Sequence, residues 1–235
     1  MIKTLFGITK LLNWSEISTV LIDMDGTILD LHFDNHFWLE HLPLRYSEKM
    51  SISLEEAKAK LKEDYLAVVG CIEWYCLDYW QERTQMPMSS LKREVQHLIK
   101  LRSDARDFLI ALKASGREVI LVTNAHPEAL SLKIERTQLD QYFDALYSTH
   151  EFGVPKESQL LWQRLQNKQH FDGDKTLFID DSVNILKSAK EFGIKHLLAI
   201  ANPDSKKATN IINDFYSITD FQPLTEQLKN KLHKA

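Results

Sequence analysis

Apolar residues in this chain gather into short, almost unbroken runs rather than alternating with polar ones. Val20-Leu21-Ile22, Val119-Ile120-Leu121-Val122 and Thr176-Leu177-Phe178-Ile179 are the clearest. Ala145-Leu146-Tyr147 and His196-Leu197-Leu198-Ala199-Ile200 extend the set. Such runs suit parallel strands covered on both faces, where neither side of the pleat meets water. Helical patterns lie between them. A helix over residues 104–115 stops at Gly116, a natural C′ residue. Another opens at Pro127, favoured in a first turn, and a third starts at the N-cap Ser182 and closes at Gly193. Strands alternating with helices of this length predict βαβ units and a parallel sheet.

Residues 31–101 break that rhythm. Ser53-Leu54-Glu55-Glu56 is a capping box. Leu54, Ala57, Leu61, Tyr65, Val68 and Ile72 then recur at helical spacing, and residues 74–80 and 91–101 add further helix-like patterns. The expectation is an α/β core built from residues 1–30 and 102–235, with an all-helical insert placed directly after the first strand. From about Asp204 onward a helix or frayed terminus without assigned chemistry is expected.

The polar residues that end the apolar runs carry the candidate chemistry. In open parallel sheets, ligands bind at the carboxyl ends of the strands. Asp23, Thr123 and Asp180-Asp181 all occupy that edge. Asp23 and Asp25 stand two positions apart at a strand end, so their carboxylates aim at one spot. Like charges persist there only if something offsets them, most simply a cation. Gly26 then lets the chain turn away. The competing reading is a hairpin, since Asp-Gly also marks a two-residue turn. Lys156 precedes a helix-like stretch over residues 158–165 and is expected in its first turn, where a cation opposes the helix dipole at a cost of about 0.3–1 kcal/mol. A lone lysine is ordinarily a solvated one. Beside three carboxylates and a hydroxyl, a phosphate-holding role gains weight.

Composition narrows the classes. The chain has 235 residues and is 44% hydrophobic, enough for one α/β domain with an inserted module. A net charge of −4 and a pI near 6.1 argue against a general nucleic-acid binder. Cys71 and Cys76 are expected within one helical stretch but on different faces, making neither a disulfide nor a metal pair. Reduced thiols and a cytoplasmic location are the expectation. The first dozen residues lack the features of a signal peptide, and no stretch approaches the ~18 apolar residues of a membrane span. The expected partner is a small molecule, not a membrane or a nucleic acid polymer.

Asp23-Met24-Asp25-Gly26-Thr27, Thr123, Lys156 and Asp180-Asp181 match, in order, the four motifs of the haloacid dehalogenase-like (HAD) phosphohydrolase superfamily, which the chain resembles over most of its length. Asp34-Asn35-His36-Phe37-Trp38, Trp74-Tyr75-Cys76-Leu77-Asp78-Tyr79-Trp80, Thr123-Asn124-Ala125-His126-Pro127 and Ser148-Thr149-His150 resemble its bacterial GMP/IMP 5′-nucleotidase branch. Gly153-Val154-Pro155-Lys156-Glu157 and Asn202-Pro203-Asp204-Ser205 do so as well. The resemblance implies a HAD-like Rossmannoid core and a type 1 cap that closes as a lid. It also implies Mg²⁺-dependent hydrolysis of purine nucleoside monophosphates through an aspartyl phosphate. In that scheme Asp23 is the nucleophile, Asp25 the acid and base, Thr123 a hydrogen-bond donor to the phosphoryl group and Lys156 its counter-charge. The implied Mg²⁺ ligands are Asp23, the Asp25 carbonyl and Asp181, with Asp180 direct or through water. Only hard oxygen ligands converge here, which suits Mg²⁺ better than zinc.

Sequence does not rank Asp180 against Asp181. Asn35, Trp38, Asn124 and His126 are candidate substrate contacts. For Trp38, Trp74, Tyr75, Tyr79 and Trp80 packing within the insert competes with base stacking, and for His126 a helix-start role before Pro127 competes equally. The alternative activity is a HAD phosphatase or phosphomutase acting on another phosphometabolite, such as a sugar phosphate. A receiver-type signalling module also gathers carboxylates, Thr and Lys at strand ends, but its motif order differs.

Overall fold

The computed structural model describes residues 12–232. Strands β1 (Thr19–Ile22), β2 (Glu118–Thr123), β3 (Ala145–Ser148), β4 (Thr176–Asp180), β5 (His196–Ile200) and β6 (Ser217–Ile218) form one parallel sheet in the order β3-β2-β1-β4-β5-β6. Each predicted run is a strand, and the reason for its unbroken apolarity is visible. Val20, Ile22, Leu121 and Ile179 join one core, while Leu21, Ile120, Val122 and Phe178 join a second. The first core is closed by α7 (Ala105–Ala114) and α11 (Gln222–Leu232), the second by α9 (Gln159–Gln169) and α10 (Val183–Phe192). Each fully buried Leu, Ile or Phe contributes about 1.5–3 kcal/mol, so one polar substitution on either face is severe.

Register sets the carboxyl edge. Ile22 pairs with both Leu121 and Ile179, Thr123 with Ser148, and Asp180 with Ala199. Asp23, Thr123 and Asp180 therefore leave neighbouring strands at one level.

Residues between β1 and α7 are helical. They comprise α1 (His32–His36), a π-helical turn (Phe37–His41) leading into α2 (Leu42–Met50), α3 (Leu54–Val68), α4 (Ile72–Tyr75), α5 (Leu77–Thr84) and α6 (Met88–Glu94). Ser53 and Glu56 form the capping box at the start of α3. The two connections to the sheet run side by side: the Asp30 amide donates to the Lys100 carbonyl (3.0 Å) and the Arg102 amide to that of Ile28 (2.9 Å).

Three expectations are corrected. The stretch 74–80 is split at Cys76, whose extended backbone (φ −86°, ψ 113°) separates α4 from α5. Cys71 and Cys76 consequently flank α4 instead of sharing a helix; both are free. The stretch 91–101 is helical only to Glu94, followed by a 3₁₀ turn (Gln96–Leu98) and an antiparallel bridge between Leu29 and Leu101. The helix expected beyond Asp204 is α11, anchored where Phe221 stacks on Phe108 (ring centroids 4.4 Å apart), and the same segment adds β6, two residues long and too short to show as a run.

Candidate active site

Asp23 follows β1, its amide held by the Ile179 carbonyl (2.9 Å) and its side chain buried. The Lys156 ammonium bridges Asp23 and Asp180, reaching Asp180 Oδ2 at 2.7 Å. Lys156 does not lie in a helix's first turn, as expected from sequence; it sits in the loop before Ser158, the N-cap of α9. No dipole cost applies there. Its amide donates to Asn124 Oδ1 (2.9 Å), which also accepts from the Thr149 hydroxyl (3.0 Å). Asp180 uses its other oxygen to accept from the Ser182 amide (2.8 Å). Asp181 lies against Gly26, and this explains the glycine. With φ at +85°, a Cβ there would meet Asp181 Oδ2 at 2.5 Å.

A second ionic chain lies on the insert side. Lys133 Nζ, on α8 (Pro127–Thr137), donates to Asp25 Oδ1 at 2.6 Å and to Asp34 Oδ2 at 2.8 Å. Lys92, on α6, reaches Asp34 Oδ1 at 3.0 Å. Both lysines are buried. Sequence reasoning missed Lys133, Lys92 and Asp34 as site residues, although a signal existed. Lys133 falls beside Ala129 and Leu132, and Lys92 beside Met88 and Leu91, on the buried stripe of each helix. A lysine on an apolar stripe must meet a counter-charge.

Burial raises the Asp23 carboxyl to about 6, with Lys156 pulling the other way and Asp180 pushing further up. Asp25 is raised to about 7, first by burial and then by Asp34 and Asp23, against Lys133. Burial and the neighbouring acids also raise Asp181 well above the usual carboxylate range. Asp23, Asp180 and Asp181 place one oxygen each within 4.8 Å of one another, and Asp23 Oδ2 is buried without a hydrogen-bond partner. Three carboxylates face one lysine in this cluster, leaving two uncompensated charges for a divalent cation to balance. The donors are all hard oxygens, a set that fits Mg²⁺. With Asp180 engaged at both oxygens, Asp181 is the better placed of the pair to reach an ion.

Above the carboxylates is a cavity of about 340 Å³. It brings together Asp23, Asp25, Thr123, Asn124, His126, Lys156, Asp180 and Asp181 with Asn35 and Trp38 from the insert. The Thr123 hydroxyl accepts from the Ala125 amide (3.0 Å), leaving its proton free to donate. Trp38 lines the cavity and also packs edge-to-face on Tyr65 and Trp80. His126 likewise lines the cavity and caps α8 through Nδ1. Asn35 donates to Asp204 Oδ2 (2.7 Å), and the Asn124 amide donates to Glu157 (3.2 Å). These two amides are committed within the protein. Tyr75, on α4, donates to the other Glu157 oxygen (2.8 Å) and joins the insert to the core beside the cavity.

The family model for haloacid dehalogenase-like hydrolases matches residues 17–193. The chain belongs to this family. It is 43% identical over 215 residues to the GMP/IMP nucleotidase YrfG of Escherichia coli (strain K12), covering 92% of this chain and 97% of that one, and matches the Shigella flexneri protein equally. Among solved structures, a HAD phosphatase from Thermococcus onnurineus superposes with a TM-score of 0.73 at 22% identity, over 90% of this chain and 98% of the other. An L-2-haloacid dehalogenase from Xanthobacter autotrophicus gives 0.62 at 14% identity, over 91% and 98%. These two structural likenesses concern the fold. Among the described residues no helix is long and apolar enough to cross a membrane.

Proposed function

We propose that this chain is a cytoplasmic, Mg²⁺-dependent 5′-nucleotidase that hydrolyses purine nucleoside monophosphates such as GMP and IMP. The observation that carries the reading is the cluster of buried Asp23, Asp180 and Lys156 with half-buried Asp181 at the floor of an aromatic-walled cavity. Likeness to the YrfG nucleotidases supports the substrate class.

Asp23 attacks phosphorus in line and becomes an aspartyl phosphate. Asp25 protonates the leaving ribose oxygen, then takes a proton from the water that hydrolyses the phospho-enzyme. A carboxyl raised to about 7 can play both parts near neutrality. Thr123 donates to a phosphoryl oxygen, and Lys156 balances the charge gathering there. Mg²⁺ held by Asp23, the Asp25 carbonyl and Asp181 would supply further neutralisation of the phosphoryl group. Residues 31–101 form the cap, whose closure excludes bulk water. Trp38, Tyr65, Trp74 and Tyr75 offer faces on which a purine stacks, each contact worth about 1–3 kcal/mol.

The test is a phosphate-release screen with nucleoside monophosphates and hexose phosphates side by side, with Mg²⁺ and with chelator. Purine 5′-monophosphates should give the highest kcat/KM, and chelator should abolish turnover. Preference for hexose phosphates would replace the nucleotide assignment with a sugar phosphatase or phosphomutase.

A further inference from the structure

A second set of ligand-type side chains lies where the insert meets the core, and one of them, His126, also lines the cavity. Cys76 occupies the break between α4 and α5. His126 caps α8, and His150 lies in the 3₁₀ turn (Thr149–Phe152) that follows β3. One ligand atom from each of the three lies within 4.8 Å of the other two. The two imidazoles meet edge-to-face with ring centroids 5.0 Å apart. Asp78 Oδ2 is 3.4 Å from His126 Nε2.

The cluster has an unsatisfied member. His150 Nε2 is buried with no hydrogen-bond partner, a condition that ordinarily costs about 1–3 kcal/mol. Burial, followed by the neighbouring His126, lowers the pKa of His150 and favours the neutral ring, the form that binds metal. A thiol and two imidazoles make a borderline-soft donor set, chemically unlike the all-oxygen cluster below it. Bonds of about 2.0–2.3 Å to a single ion require the three atoms, which lie within 4.8 Å of one another, to draw together. His126 ligates through Nε2, giving up its long Nδ1 contact with the Glu128 amide (3.4 Å) as the ring proton moves to Nδ1, and Asp78, already beside Nε2, can turn to the ion as a fourth ligand.

We propose that Cys76, His126 and His150 form a second metal site that takes Zn²⁺ or a similar borderline divalent ion and fastens the helical insert to the core. Binding deprotonates the Cys76 thiol and releases that proton to solvent. Cys76 and Asp78 belong to the insert, His126 and His150 to the sheet edge, so an ion held among them ties the insert to the core. Zinc then slows turnover from a place other than the carboxylate cluster.

Cobalt reads the site without requiring any activity. Metal-free protein titrated with Co²⁺ should develop a thiolate-to-cobalt charge-transfer band and intense tetrahedral visible bands, both lost on adding Zn²⁺. Cys76→Ser should abolish the charge-transfer band while its circular dichroism and melting curve match the wild type. Cys71→Ser and Asp181→Asn should retain it. If Cys76→Ser does not fold, His150→Gln serves instead and should weaken Co²⁺ binding at least tenfold. Absence of a charge-transfer band in the wild type, its survival in Cys76→Ser, or undiminished affinity in His150→Gln overturns the proposal. With Mg²⁺ in excess, micromolar Zn²⁺ should slow wild-type phosphate release more than that of Cys76→Ser; equal inhibition contradicts the clamp. A wild type that binds cobalt through thiolate yet hydrolyses no nucleotide would refute the nucleotidase reading while leaving this site standing.

Discussion

Replacing Lys133 by Met removes the ammonium shared by Asp25 and Asp34 while keeping a chain of similar length, so the loss is of charge and not of volume. The structure sets the magnitude. Lys133 is 1% exposed and its bonds are 2.6 and 2.8 Å long. In the native chain two buried cations, Lys133 and Lys92, face two anions; the variant leaves one cation against two anions. Removing one partner of a buried pair typically costs about 3–5 kcal/mol. Asp34 retains Lys92 at 3.0 Å, and Asp25, already raised to about 7, can take up a proton. Both effects place the cost near the lower bound, about 3 kcal/mol. For a chain of this size that corresponds to a fall of about 6–12 °C in Tm. The assay is thermal unfolding by circular dichroism, with Arg93→Met as the control. Arg93 pairs with Glu135 at 3.0 Å, but both side chains are about half exposed, so its loss should leave the melting curve nearly unchanged. At neutral pH the kcat of Lys133→Met should drop about 10²-fold, because an Asp25 pushed further up stays protonated and cannot serve as the base. A melting shift no larger than that of the Arg93 control would refute the claim that Lys133 is a paired, desolvated charge.

Gly26→Ala should lower Tm and weaken Mg²⁺ activation together, since the new Cβ would collide with the Asp181 carboxylate at a backbone angle that disfavours L side chains; normal metal dependence in a folded variant would contradict the close approach. Acid should weaken the insert's ionic chain. Burial pushes the Asp34 carboxyl up, but Lys133 and Lys92 outweigh it and hold it well below the usual range. A group depressed in the folded state contributes stability above its unfolded pKa of about 3.9 and loses it as pH falls toward the folded value. The stability difference between wild type and Asp34→Asn should therefore shrink as pH falls below about 4; a difference unchanged from pH 4 down to pH 3 speaks against the pairing.

The sheet and the residues gathered at its carboxyl edge were legible because their determinants are local. An apolar run such as Val119-Ile120-Leu121-Val122 ending in Thr123 carries its burial on both faces within its own composition. Gly116, Ser182 and Gly193 mark helix boundaries in the same local way. What was illegible depends on tertiary pairing. β6 is two residues long and exists because β5 offers it an edge. The α4–α5 break at Cys76 has no proline or glycine to announce it. That Lys133 and Lys92, standing on apolar stripes, need counter-charges is legible, but that Asp25 and Asp34, distant in sequence, supply them is not. Asn35, a candidate substrate contact, lines the cavity, and the bond its amide makes to Asp204 from beyond β5 has no local signal in the sequence.

The central claim is that Asp23 is the group that attacks phosphorus. Its most direct test is turnover by Asp23→Asn with GMP, IMP and p-nitrophenyl phosphate under saturating Mg²⁺, alongside a melting curve that establishes folding. The asparagine keeps the shape and removes the nucleophile, so phosphate release should fall to background with every substrate. A folded Asp23→Asn protein that still releases phosphate at an appreciable rate contradicts the mechanism.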